Sequence, residues 1–267
     1  MSKTVLITGA SSGMGRATAI HLASLGYKVY AGSRTPEKLK NLEKVIPIKL
    51  DITNQKSINQ AIQNIDTIDI LINNAGYGLV STVEEMDEEQ MIEQYNVNVF
   101  GLLRVCKAVI PLMREKQSGV IINISSFLGR IGLPLLTFYN SSKYAVEGIT
   151  DSLRYELKDF NIRVHSIMPG FFDTNFARDN LVINPKTFDE NSPYSKLVST
   201  LAPTIVEQIN HGNDANEVAK MIEQIIKDEN FPAHETSGDK AKKFIPMKKE
   251  LSDEDFERRV REYYNLG

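Results

Sequence analysis

The stretch Thr4–Leu25, TVLITGASSGMGRATAIHLASL, decides how the rest of the chain is read. Residues 4–8 form an apolar run with the character of a buried strand, and Ala17, Ile20, Leu22, Ala23 and Leu25 suit a helix from Arg16 laid against a sheet. Gly9, Gly13 and Gly15 stand between them. They allow a tight turn and let backbone N–H groups and a helix N-terminus approach a pyrophosphate without a Cβ in the way. The spacing is G-x-x-x-G-x-G rather than G-x-G-x-x-G, and its weight comes from its place between strand and helix.

Outward from this unit a βα rhythm continues. Gly26 ends the helix and Lys28–Ser33 reads as a second strand followed by Arg34, with no acid before Glu37. In dinucleotide-binding folds an acid here takes a ribose 2′-OH, whereas an arginine accommodates a 2′-phosphate. The other reading of Arg34 is a solvated side chain opening a loop. Val45–Leu50 is a third strand ending at Asp51, Gln55–Ile65 a helix, and Ile68–Ile72 a fourth strand ending in Asn73, Asn74, Ala75 and Gly76. Polar groups recur where strands finish, which is where open parallel sheets bind ligands.

Glu84–Met113 reads as helix, with Asn96 and Asn98 inside it and an acidic start, EEMDEEQ, taken as a solvated face or a dipole-stabilised first turn rather than a metal site. Ile162–Met168 is a further strand, closing at Pro169 and Gly170. From Phe171 to Pro203 no period is visible and prolines stand at 185, 193 and 203. The expectation is a substrate lid over about 175–203, set against a rigid excursion that builds a subunit contact. Glu217–Lys227 is amphipathic. Residues 231–267 read as a polar C-terminal extension in which Ser252 caps a short helix whose Phe256, Val260 and Tyr263 form a docking face.

The reactive groups lie in Val120–Asp151. An apolar strand ends at Ser125 and Ser126, and Tyr139 and Lys143 are four apart on a helix, a turn from each other on one face. A nearby cation lowers a phenol pKa towards the working pH, so such a tyrosine can pass protons. Alone, Y-x-x-x-K reads as a surface Tyr and Lys on an amphipathic helix, and the catalytic reading needs its context.

With 267 residues, 42% hydrophobic and 24% charged, the chain is expected to be one α/β domain of Rossmann type, a doubly wound parallel sheet with helices on both faces. The net charge of −3 gives no global attraction to nucleic acid or anionic membranes. No apolar run approaches the ~20 residues of a membrane helix, and the N-terminus runs straight into a strand, so a cytoplasmic protein is expected. Cys106, the single cysteine, reads as a buried helix residue, and His21, His165, His211 and His234 as structural or solvated.

In order and spacing, T-G-A-S-S-G-M-G at 8–15, D-I at 51–52, N-N-A-G at 73–76, N-V-F-G at 98–101, N-I-S-S at 123–126, Y-N-S-S-K at 139–143 and P-G-F-F-D-T at 169–174 resemble the short-chain dehydrogenase/reductase family. The resemblance implies NAD(P)-dependent hydride transfer between an alcohol and a carbonyl and a homodimer or homotetramer. V-E-E at 83–85 and S-L-R-Y-E-L at 152–157 are similar to a branch acting on hydroxysteroids, retinoids and related lipophilic alcohols.

Carried over, Tyr139 is the general acid, Lys143 lowers its pKa and holds the nicotinamide ribose, Ser126 orients the carbonyl, and Asn98 positions a water in a proton relay. Gly9, Ser11, Ser12, Gly13, Met14 and Gly15 line the pyrophosphate, Asp51 and Ile52 the adenine, and Asn74, Ala75 and Gly76 the adenosine ribose side. Thr174 meets the carboxamide, and Pro169, Gly170 and Phe172 complete the cofactor contacts. With Ser33 where the family's NAD-selecting Asp stands and Arg34 after it, NADP(H) is expected over NAD(H). The partner is expected to be a small-molecule carbonyl or alcohol substrate, partly apolar. A non-catalytic NADP(H)-binding regulator is the alternative, against which stands the intact Ser126, Tyr139 and Lys143 set. A serine hydrolase is a further reading, since G-A-S-S-G at 9–13 has G-x-S-x-G spacing, but His165 lies inside a strand and offers no partner base.

Overall fold

The computed structural model describes residues 2–174, 176 and 180–267. Seven parallel strands form the main sheet: β1 (Thr4–Thr8), β2 (Lys28–Ser33), β3 (Val45–Lys49), β4 (Ile70–Asn73), β5 (Gly119–Ile124), β6 (Ile162–Pro169) and β7 (His234–Ser237). Their spatial order is β7-β6-β5-β4-β1-β2-β3, which reverses between β1 and β4. Among the described residues the α-helices are α1 (Gly13–Ser24), α2 (Gln55–Ile62), α3 (Glu88–Tyr95), α4 (Leu102–Lys116), α5 (Thr137–Leu157), α6 (Ser195–Asn210), α7 (Asn216–Lys227), α8 (Asp239–Glu250) and α9 (Asp253–Tyr264).

Every residue of β1 is buried, because helices cover both faces of the sheet and side chains alternate between them. Val5 and Ile7 join Leu22 of α1 and Val218 and Ile222 of α7 on one face. Leu6 and Leu71 join Ile58 of α2, Val105 and Val109 of α4, and Val146 and Leu153 of α5 on the other. Each such side chain contributes roughly 1.5–3 kcal/mol on burial. The doubly wound α/β fold expected from the sequence is the one observed.

A third cluster lies beyond the carboxyl ends of the strands, where Phe127, Leu135 and Phe171 meet Leu201 of α6, Phe244 of α8, and Val260 and Tyr264 of α9. The C-terminal region is therefore part of the body. β7 went unread because His234–Ser237 (HETS) is polar, as an edge strand paired on one side to β6 permits. In α9, Ser252 Oγ accepts from Asp255 N–H and Phe256 and Val260 are buried, as expected of a docking helix; Tyr264, more than Tyr263, completes the face.

Two other expectations change. Pro203 lies inside α6, which continues through it because Val198, Leu201, Ile205 and Ile209 bury one face in the third cluster. That burial offsets the ~3 kcal/mol a helical proline costs. Secondly, Glu88–Lys116 is long and apolar enough to cross a membrane by length and composition, contrary to the reading of the apolar runs. Here its Val105, Cys106, Val109 and Met113 are buried in the core on the sheet face that α2 also covers.

Replacing Leu71, fully buried in β4, by alanine should lower the unfolding free energy by about 2–5 kcal/mol with an unchanged denaturant slope. A loss below about 1 kcal/mol in urea titration would contradict this placement in the core.

Candidate active site

The strand order places the ends of β1, β4 and β5 side by side, and the loops leaving them form a cleft of about 540 Å³. Gly9 turns the chain out of β1 with φ +66°, and a Cβ there would come within 2.7 Å of the Ala75 backbone. A glycine is required by both conformation and contact. Thr8 Oγ1 accepts from the N–H groups of Asn74 and Ala75, while Asn74 Nδ2 donates to the carbonyls of Thr8 and Gly9, at 3.0–3.1 Å. The glycine loop and the end of β4 are thus locked together. α1 then begins at Gly13, and Ser12 at its N-cap makes no side-chain capping bond, leaving first-turn N–H groups for a ligand.

The cleft is lined by Gly9, Ser11, Ser12, Gly13, Met14, Arg34, Asp51, Ile52, Asn74, Ala75, Gly76, Tyr139, Lys143 and Thr174. Four expected cofactor contacts lie elsewhere. Gly15 packs behind the loop against Asn74, and Pro169, Gly170 and Phe172 line an adjoining apolar pocket instead. Sequence reading missed Thr53, Tyr77 and Val97 on the cleft wall. Each follows an identified motif by one residue or precedes one, but its side chain carries no chemical signature.

Asn98 sits in a wider helical turn, Asn96–Gly101, between α3 and α4. Its Oδ1 accepts from Tyr77 N–H at 3.0 Å, and its Nδ2 donates to Tyr77 C=O at 2.9 Å and Ser142 Oγ at 3.1 Å. On α5, Lys143 Nζ is buried, donates to the Ile124 carbonyl at 2.9 Å and lies 5.7 Å from the centroid of the Tyr139 ring. Tyr139, Lys143 and Asn98 therefore converge, with Ser126 beside the phenol.

The expected lowering of the Tyr139 pKa is not what this structure gives. Burial pushes the phenol up to about 12, with the Ser126 hydroxyl pulling the other way. Burial likewise pushes Lys143 down to about 8, opposed by the charge of Glu147. Desolvation disfavours both charged forms and is the larger effect on each. At neutral pH the pair is a phenol beside an ammonium.

The apolar pocket meets the cleft at Met14, Ser125, Tyr139, Thr174 and Phe176, and continues between Leu135, Leu136, Phe171, Leu181, Ile205 and Ile209. Its outer wall comes from the segment expected to be a lid without regular structure. Residues 175 and 177–179 of that segment lie outside the described residues. Beyond them Leu181–Ile183 pairs with Gly78–Val80, and the chain returns along the acidic run. Ser192 Oγ donates to Glu85 Oε1 at 2.6 Å, Tyr194 OH to Glu84 Oε2 at 2.6 Å, and Lys186 Nζ to Asp87 Oδ1 at 2.6 Å. The Ser192 bond is the main reason the Glu85 carboxyl sits below its usual range. Of the run read as a solvated face or a dipole-stabilised first turn, Glu88 and Glu89 do occupy the first turn of α3, while Glu84, Glu85 and Asp87 anchor this strap.

Comparison with known proteins agrees with this architecture. Residues 3–181 match the family model described as short chain dehydrogenase. The 3-ketodihydrosphingosine reductase of Bacteroides thetaiotaomicron is 39% identical over 232 residues, 85% of each protein. A short-chain dehydrogenase from Streptomyces avermitilis superposes with a TM-score of 0.85 at 29% identity, covering 100% of this chain and 97% of that one. Another, from Burkholderia cenocepacia and solved with NADP, gives a TM-score of 0.78 at 27% identity, covering 97% of both.

Because Glu85 ties Thr82 to Ser192, Glu85→Ala should free the strap. Amides of 181–194 are expected to exchange with deuterium at least about tenfold faster while those of β1 are unchanged. Rates equal to the wild type would show that the strap is held without this anchor.

Proposed function

This chain belongs to the short-chain dehydrogenase/reductase family and is an NAD(P)-dependent oxidoreductase, and from that premise we propose that it uses NADPH to reduce a ketone or aldehyde borne on a long apolar substrate. The observation that carries this reading is the meeting of a polar cleft and an apolar pocket at one buried phenol, Tyr139. The relative from Bacteroides thetaiotaomicron is named for a ketone on a long alkyl chain, which suits a pocket walled by Leu135, Leu136 and Phe171.

The cleft fits a dinucleotide. The loop from Gly9 and the uncapped start of α1 suit the pyrophosphate, Asp51 and Ile52 the adenine, and Lys143 and Thr174 the nicotinamide end. Ser33 is buried at the end of β2 and Arg34 is exposed on the cleft, so that rim has a guanidinium where an NAD-selective site needs a carboxylate. Bound here, NADPH supplies the hydride. The remaining task is a proton for the carbonyl oxygen. Tyr139 holds one at neutral pH and gives it up as the oxygen gains charge. The Lys143 ammonium stabilises the phenolate left behind, and Ser126 donates a hydrogen bond to the same oxygen. The apolar walls exclude water and hold the alkyl chain.

Two outcomes test this. Tyr139→Phe should fold and bind NADPH as the wild type does, yet lose at least about 100-fold in kcat on 3-ketodihydrosphingosine, since general acid catalysis supplies roughly 10²–10⁴. Retention of more than about a tenth of the activity removes Tyr139 from the role. NADPH should also bind at least about tenfold tighter than NADH by nicotinamide fluorescence, a difference that Arg34→Leu abolishes. Equal affinities in the wild type would end the assignment of Arg34 to a 2′-phosphate.

A further inference from the structure

Behind Lys143, on the side away from the cleft, is a cluster of charges that the reaction above does not use. Glu147 is one helical turn after Lys143 on α5 and is 3% exposed. Its Oε2 lies 2.9 Å from a guanidinium nitrogen of Arg130 and 2.9 Å from Nδ1 of His234. His234 also reaches Ser166 Oγ at 2.8 Å and Asp151 Oδ1 at 2.7 Å, so the first residue of β7 is bound from both sides. A Cβ added to Gly129 would meet Ser125 Oγ at 2.9 Å, the Lys143 carbonyl at 3.0 Å and Glu147 Cγ at 3.2 Å. Gly129 therefore packs tightly against the acid, the backbone that carries Lys143 and the hydroxyl that precedes Ser126.

We propose that Glu147 is a positioning residue that sets the pH at which the Tyr139–Lys143 pair works, with Arg130 as its counter-charge. The proposal rests on the acid–base reading of that pair given above. Its geometry is a buried carboxylate one turn from a buried ammonium, where little water screens the attraction. The charged groups facing Glu147 are Arg130 from the loop after β5, His234 from β7, Lys143 on its own helix and, through His234, Asp151. Burial lowers the affinity of Lys143 for its proton and Glu147 restores part of it. Arg130, charged at every working pH, limits that restoration. A purely structural alternative is that Glu147 only ties β7 to α5. The two differ in sign: an ion-pair strut affects stability alone, whereas opposite charges acting on Lys143 move its titration in opposite directions.

The test compares the wild type with Glu147→Gln, which keeps shape and hydrogen bonding, and Arg130→Gln, which removes a partly exposed partner. The midpoint of Lys143 is followed by side-chain NMR of isotope-labelled lysine, assigned with Lys143→Met, in protein without substrate. In parallel, the alkaline limb of kcat/KM is measured for NADPH-dependent reduction of 3-ketodihydrosphingosine. Glu147→Gln should move the Lys143 midpoint to lower pH by roughly one unit, and Arg130→Gln should move it to higher pH by a smaller amount. The alkaline limb should follow each shift. Unchanged midpoints in both variants, or shifts of the same sign, overturn the proposal even if both proteins are less stable. Should Glu147→Gln fail to fold, the upward shift in Arg130→Gln supports the coupling and its absence overturns it. A midpoint that moves while the limb stays fixed supports the coupling and instead removes Lys143 and Tyr139 from proton transfer, so the two ideas fail separately.

Discussion

Burial of the sheet on both faces is the constraint on which the rest of the structure depends. β1, β4 and β5 have no solvent-facing side, so hydrophobic residues predominate in each strand and most of the polar chemistry lies at their carboxyl ends. Thr8, Asn73 and Ser125 mark those ends, and the reversal of strand order between β1 and β4 opens the space beyond them. The Thr8–Asn74 hydrogen bonds fix the shape of the glycine loop, and the Lys143 bond to the Ile124 carbonyl ties α5 to the end of β5. The site is a product of the sheet and not an addition to it.

The same burial governs the electrostatics. Removing water from Tyr139 and Lys143 favours the neutral form of each, which keeps the phenol protonated and weakens the hold of the lysine on its proton. A buried acid one turn away then carries real weight. Glu147, Arg130 and Asp151 lie within the segment that matches the family model, and His234 joins them from well beyond residue 181.

The sheet and the reactive residues were legible because their signals are local. A short β-branched and apolar run such as Thr4–Thr8, ended at once by a glycine, reads as a strand covered on both faces, and Tyr139 and Lys143 share a helix face at fixed spacing. What could not be read depends on contacts between distant segments. HETS at 234–237 becomes a strand only by pairing with β6, and α6 survives Pro203 only because the third cluster accepts its apolar face. The acidic run 84–90 looks solvated until the chain returns to it a hundred residues later. The pKa of Tyr139 was misjudged for a related reason: spacing shows which charge is near, whereas burial, the larger effect here, belongs to the fold.

The central claim is that the cofactor cleft and the apolar pocket act on one substrate at Tyr139. A crystal structure with NADP⁺ and a long-chain secondary alcohol tests it most directly. The account predicts the alcohol oxygen within hydrogen-bond reach of both Tyr139 and Ser126, the alkyl chain between Leu135 and Ile205, and the dinucleotide along the loop from Gly9. An alkyl chain lying outside that pocket, or an oxygen bound away from Tyr139 with the dinucleotide in place, would contradict it.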